Sequence, residues 1–189
     1  MKVTLFTILA MLLILSSVYA QGWRVYSPPN TNYSIESPVP FHRVRYYEGE
    51  HGIGDAWTTK EEARGSIVYV AQQSSPKLRD YAVLVADIPK ERRPLSVDDI
   101  DYLKWWIGGD DESEPTDVID VEVHGLKGKE YIYAKAISLD RYTRGRIFDG
   151  GDKVYILIFK SSTAEDLSSN AATRFLNSFR LRKKTGKVK

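Results

Sequence analysis

Apolar and polar positions alternate with a period of two in several stretches of this chain. Residues 118–123 are the clearest case: Val118, Asp120 and Glu122 fall on one side, and Ile119, Val121 and Val123 on the other. Side chains alternate in this way along a strand. Residues 23–27 and 33–36 repeat the pattern on either side of the turn-forming Pro28-Pro29-Asn30-Thr31-Asn32, which predicts a hairpin. After Pro38 and Pro40 the alternation resumes, with Phe41, Arg43, Arg45 and Tyr47 opposite His42, Val44 and Tyr46. Residues 67–71, 81–85 and 130–137 are β-branched and aromatic runs between polar breaks. Residues 144–148 and 153–159 flank Asp149-Gly150-Gly151-Asp152, a strong hairpin signal.

Two stretches switch to helical spacing. Ser96 stands where an N-cap is expected, with Asp98 and Asp99 in the first turn, where the helix dipole favours acids. Ile100, Leu103 and Ile107 then keep one face until Gly108-Gly109 ends the helix. Near the end of the chain, Ser162-Thr163-Ala164-Glu165 has the form of a capping box. Leu167, Ala171, Phe175 and Phe179 follow at intervals of four and predict one closing helix. Strands joined by tight hairpins pair antiparallel. Their alternation implies one covered sheet face and one partly wet face, with the helices as cover. The expected fold class is therefore α+β, an antiparallel β-sheet with flanking helices forming a sandwich. No repeat or internal linker interrupts residues 21–182, which read as a single domain.

The first twenty residues belong to a different pattern. Lys2 precedes an apolar run over residues 3–15, and Ser16-Ser17-Val18-Tyr19-Ala20 supplies small residues where a signal peptidase reads them. The run is shorter than the roughly 20 residues a membrane-spanning helix needs. A signal peptide cleaved after Ala20 is the expectation, with a retained anchor as the alternative. Without cysteine, there is no lipid-acceptor residue, disulfide or thiolate chemistry. The expected location is secreted or periplasmic, with no membrane span left after cleavage.

At 189 residues, 42% hydrophobic and 12% aromatic, the composition is that of a folded globule with a real core. The net charge of +2 includes Lys2, so loss of the leader leaves a nearly neutral domain, which argues against a nucleic-acid partner. Arg180, Arg182, Lys183, Lys184, Lys187 and Lys189 nevertheless crowd one end. Residues 183–189 read as a disordered, solvated basic tail able to touch anionic surfaces.

The two ends of the chain resemble a known group. Residues 23–40 run as an aromatic strand, a turn, a second strand carrying Tyr33-Ser34-Ile35, and an exit through Pro38 and Pro40. The Gly150-Gly151 hairpin, the strand Val154-Tyr155-Ile156-Leu157 and the closing Arg174-Phe175-Leu176-Asn177-Ser178-Phe179-Arg180-Leu181 complete the likeness. This arrangement resembles secreted PsbP-like domains. The resemblance implies an antiparallel sheet with flanking helices, used as a protein-interaction or accessory domain. It brings no catalytic residue with it.

Candidate chemistry is sparse. His42, His51 and His124 lie in separate segments without the spacing of a helical metal site, and they read as surface or turn residues. There is no Gly-x-Ser-x-Gly elbow, and Ser74-Ser75 beside Pro76 reads as a loop entry. Asp110, Asp111, Glu112 and Glu114 offer oxygen ligands, but in no EF-hand pattern, so a solvated loop is expected. Trp105 and Trp106 precede it. Neighbours on a helix point about 100° apart, so both do not face the same core centre: helix packing for both is the leading expectation, and the other reading sets one at a groove rim, where an indole stacks on a sugar or anchors a partner. Arg144 and Arg146 share one side of a strand, placed either to grip a carboxylate or phosphate of a ligand or to pair with neighbouring acids.

The expectation is an exported, non-enzymatic accessory or binding domain of the cell envelope or extracellular space. Its partner would be a protein or another envelope component, and neither a cofactor nor a metal is implied. Trp105, Trp106, Asp110, Asp111, Arg144 and Arg146 are the candidate binding residues. Two alternatives remain open. One is a hydrolase acting on glycan or peptide through carboxylates beside Trp105 and Trp106. The other is a carrier of an apolar ligand held beneath that helix.

Overall fold

A computed structural model describes residues 22–28, 31–44, 67–73, 78–108, 114–136 and 141–182. Among them, ten strands form two antiparallel sheets. The smaller contains β1 (Arg24–Tyr26), β2 (Tyr33–Ser37) and β10 (Arg180–Leu181), with β2 in the middle. The larger contains β3 (His42–Val44), β4 (Ile67–Gln73), β5 (Arg79–Asp87), β6 (Asp117–Val123), β7 (Leu126–Ala136), β8 (Arg141–Asp149) and β9 (Lys153–Ser161), in the order β3-β4-β5-β9-β8-β7-β6. The predicted hairpins are present. β1 pairs with β2, and β8 pairs with β9 from Asp149↔Val154 to Tyr142↔Ser161. The register places Glu130 of β7 opposite Arg146 of β8.

The central strands are covered on both faces, where the alternation had implied one wet face. Val154 to Phe159 of β9 are all buried, because β9 lies between β5 and β8 with packing above and below. A strand covered on both sides needs a continuous apolar run. On one face Tyr81, Tyr155, Phe159, Phe175 and Phe179 form an aromatic core with the small sheet. Tyr81 meets Phe159 and Phe175 edge-on at 5.4 and 5.2 Å, and Phe148 stacks on Phe179 at 5.7 Å. On the other face Leu84, Ile88, Leu103, Ile107, Tyr131 and Ile156 pack together. β6 is the exception, exposed along most of its length.

Both predicted helices are broken into two pieces. Ser96 caps α1 (Val97–Tyr102) through the expected capping box, with Asp99 as the reciprocal partner. The helix then tightens at Leu103 and restarts as α2 (Trp105–Gly108). The Lys104 carbonyl accepts from the Tyr133 hydroxyl at 3.0 Å as well as from the Ile107 and Gly108 amides. The sheet therefore draws the middle of the helix toward itself. Gly145 of β8 permits the contact: a Cβ there would stand 2.6 Å from Ile107 Cγ2 and 2.7 Å from the Leu157 carbonyl.

In the C-terminal segment, the capping box expected at residues 162–165 is absent. Thr163 makes no capping bond, and Ala164–Ser168 is a 3-10 helix. The reason is Asp166, whose carboxylate turns to the sheet and accepts from Arg79 twice at 2.6 Å and from Ser161 Oγ at 2.9 Å. The α-helix α3 (Asn170–Asn177) starts later, with Ser169 Oγ accepting from the Ala172 amide. Ala172, not Ala171, faces the core, and Phe179 is buried beyond the helix end.

Candidate functional site

The two arginines singled out by their spacing do grip a carboxylate, and it is the chain's own. Arg146 Nε donates to Glu130 Oε2 at 2.6 Å, and Arg144 Nη2 lies 2.9 Å from Glu130 Oε1. Glu130 and Arg146 are 2% and 5% exposed. The spare donors run to the C-terminal segment: Arg146 Nη1 to the Leu176 carbonyl at 3.0 Å and Asn177 Oδ1 at 2.8 Å, and Arg144 Nη1 to the Leu167 carbonyl at 2.9 Å. Burial pushes Arg146 below its ordinary range, and the bond to Glu130 works against that shift. The cluster fastens α3 and the segment before it onto the sheet. Arg79, Asp166 and Ser161 do the same a few residues away.

The tryptophan helix lies on the opposite face. Trp106 is buried against the α1 side of the core, while Trp105 is described in its backbone alone. Asp110 and Asp111 lie outside the described residues. Glu114, the last acid of that loop, accepts from Lys104 Nζ at 2.6 Å. Ile107 rests so closely on Gly145 that no apolar ligand fits between α2 and β8 at that point.

Further along this face, in register across the strands, stand Asp80, Lys160, Thr143 and Tyr133. Asp80 accepts from Arg141 at 2.8 Å. Burial lowers the pKa of the Lys160 ammonium, with Asp80 opposing, and among the described residues the buried Thr143 Oγ1 has no hydrogen-bond partner.

His124 sits in the β6–β7 turn with φ 52°, followed by Gly125 at φ 79°. Two positive φ values in a two-residue loop are the signature of a type I′ turn. Arg180 Nε donates to His124 Nε2 at 3.1 Å and ties the hairpin tip to β10. Val123, Leu126 and Phe179 floor a groove of about 400 Å³ beside this pair. Of the other histidines, His51 lies outside the described residues, and His42 is described in its backbone alone. Among the described residues no group of three or more His, Asp or Glu is gathered to hold a metal ion. No helix among them is long and apolar enough to cross a membrane.

No family model and no curated protein matches the sequence. Solved structures do match it. The solution structure of cyanobacterial PsbP (CyanoP) from Synechocystis sp. PCC 6803 superposes with a TM-score of 0.53 at 12% identity, covering 85% of this chain and 93% of that one. The fold is PsbP-like. A protein from Bacteroides thetaiotaomicron VPI-5482 matches at a TM-score of 0.45 and 11% identity, over 87% of this chain and 50% of that one. The Pseudomonas aeruginosa protein of unknown function PA94 matches at 0.39 and 14%, over 77% and 85%.

Within the PsbP-like fold, the sequence reading missed Glu130 and the outer edge of β6. Glu130 had a signal: Arg144 and Arg146 share strand parity with the apolar Phe148, so they point inward and need an inward acid. The edge had one as well, because Val118 and Ile119 are consecutive and one of them must face away from any core. Val118 is 47% exposed and Ile119 41%.

Proposed function

We propose that this protein is an exported, non-enzymatic accessory domain that binds a protein or another component of the cell envelope or extracellular space. Residues 1–20 act as its leader and are removed after Ala20. The observation that carries the binding reading is where large apolar side chains meet solvent. Val25 on β1 and Val118 and Ile119 on β6 are exposed on outer strands of the two sheets. Outer strands offer unpaired main-chain groups along with their side chains. The charged groups of the interior, by contrast, are engaged in holding the C-terminal segment. A PsbP-like fold is compatible with an accessory role, although a fold by itself does not specify a function.

Two measurements test the reading in the native host. N-terminal sequencing of the mature protein from a fraction outside the cytoplasm should begin at Gln21. A cytoplasmic protein that keeps its leader would overturn export. A photo-reactive amino acid placed in turn at Val25, Val97 and Val118, all exposed, should give a discrete adduct from at least one position. Failure at all three would overturn the binding reading.

A further inference from the structure

β6 closes one side of the seven-stranded sheet, and among the described residues it pairs with β7 alone. The register runs without a break from Asp117↔Ile132 to Val123↔Leu126 around the two-residue turn. In such a hairpin the closing pair exchanges both hydrogen bonds, and bonded pairs then recur at every second residue. Val123, Val121, Ile119 and Asp117 therefore bond to β7. The N–H and C=O groups of Val118, Asp120 and Glu122 face outward. Exposed strand edges are commonly closed by a lysine, a proline or a bulge. Within Asp117–Val123 β6 has no lysine, proline or register break, so its charges are acids alone, and it presents two exposed β-branched side chains beside them.

Charge selects the occupant. β6 carries Asp117, Asp120 and Glu122 and no basic residue; in its pairing with β7, Lys129 stands opposite Asp120 and Lys127 opposite Glu122, so acids form the outer column of that face and lysines the inner one. A second copy is a poor fit. Outward-bonding residues must oppose outward-bonding residues, and the two-fold register that engages all three sets Asp120 against its own counterpart and Val118 against Glu122. Like charges directly opposite destabilise a pair. The geometry points to an extended segment of a partner protein, with lysine or arginine at alternate positions, adding to the outer edge of β6 as a further strand. Its main chain bonds to Val118, Asp120 and Glu122, its basic side chains lie on the face of Asp120 and Glu122, and the apolar side chains between them lie on the other face beside the exposed Ile119. Main-chain bonds supply affinity in this mode, and the alternate side chains supply selectivity. The inference rests on the binding reading above and names its surface.

Fluorescence anisotropy of a labelled peptide of about nine residues, alternating lysine and valine, tests it against the mature domain. Saturable binding is expected at low salt, weakening as salt rises. The glutamate counterpart, and the lysine peptide N-methylated at its edge-facing amides, should each bind at least about tenfold more weakly. Asp120→Pro removes one outward donor and no β7 bond, so it should lower affinity by at least about tenfold with little change in thermal midpoint. Asp120→Asn combined with Glu122→Gln keeps the backbone intact and sets no like charge against Lys129 or Lys127, and it should abolish the preference for the lysine peptide over the glutamate peptide. No saturable binding, equal binding of the N-methylated or glutamate peptide, or indifference to both sets of variants overturns the proposal. So does a dimer in sedimentation that Asp120→Pro dissolves, since a second copy would then hold the edge. Photo-adducts from Val25 or Val97 with none from Val118 overturn the edge and leave the binding reading standing.

Discussion

Removing the carboxylate at the centre of the arginine cluster should be the most damaging single change to this domain. Glu130→Ala takes away the acceptor of Arg146 Nε at 2.6 Å and of Arg144 Nη2 at 2.9 Å. Arg146, 5% exposed, then keeps the Leu176 carbonyl and Asn177 Oδ1, which are neutral and cannot balance its charge. Breaking a buried pair from one side costs about 3–5 kcal/mol. For a domain of this length that lowers the thermal midpoint by about 6–20 °C. Arg146→Met is milder, about 1–3 kcal/mol, because Glu130 keeps Arg144 while two hydrogen bonds to the C-terminal segment are lost. Glu130→Leu combined with Arg146→Met replaces the pair by apolar volume and should cost less than Glu130→Leu and Arg146→Met measured singly and added together. Urea unfolding followed by tryptophan fluorescence measures all the variants. A Glu130→Ala protein within about 1 kcal/mol of the parent, or strict additivity in the double variant, would refute the assignment of this cluster as a charge-balanced clamp.

Two further outcomes follow from packing and titration. Gly145→Ala should cost about 1–3 kcal/mol by pushing Ile107 off β8; unchanged stability by urea unfolding would mean that α2 is not seated as described. Burial pushes the hydroxyls of Tyr81 and Tyr155 up to about 12 and raises that of Tyr131 as well. In the unfolded chain they ionise near 10. The native state therefore holds more protons across that window, and stability falls as pH rises from about 10 to about 12. Tyrosinate absorbance and far-UV circular dichroism should change together there. Ionisation of every tyrosine near pH 10 with the dichroism intact would contradict the burial.

The strands were legible because each hairpin announces itself locally. Gly150-Gly151 between two β-branched runs is enough to place β8 beside β9, and the alternation of residues 118–123 is enough to place β6. The helix breaks were not legible, because their causes lie far away in sequence. Lys104 bends toward the Tyr133 hydroxyl, and Asp166 leaves a helical first turn for Arg79, 87 residues earlier. β10 is two residues long and owes its existence to β2, so no local pattern could have marked it. The same limit applies to Arg144 and Arg146. Spacing shows that they share a side, whereas the identity of their carboxylate depends on the β7–β8 register.

That register also separates the two kinds of charge in this domain. Glu130 and Asp166 are buried acids whose arginines are supplied by the same chain, and their removal should be read in stability. Asp120 and Glu122 lie on an outer strand with solvent on one side, and surface charges of that kind contribute little to folding. Acids on an outer edge can still discriminate among incoming strands, because a like charge placed directly opposite them destabilises the pair and an opposite charge stabilises it. The interior charges should therefore report in unfolding experiments and the β6 charges in association experiments. A variant of Asp120 that unfolded the domain, or one of Glu130 that altered peptide binding without lowering stability, would break that division.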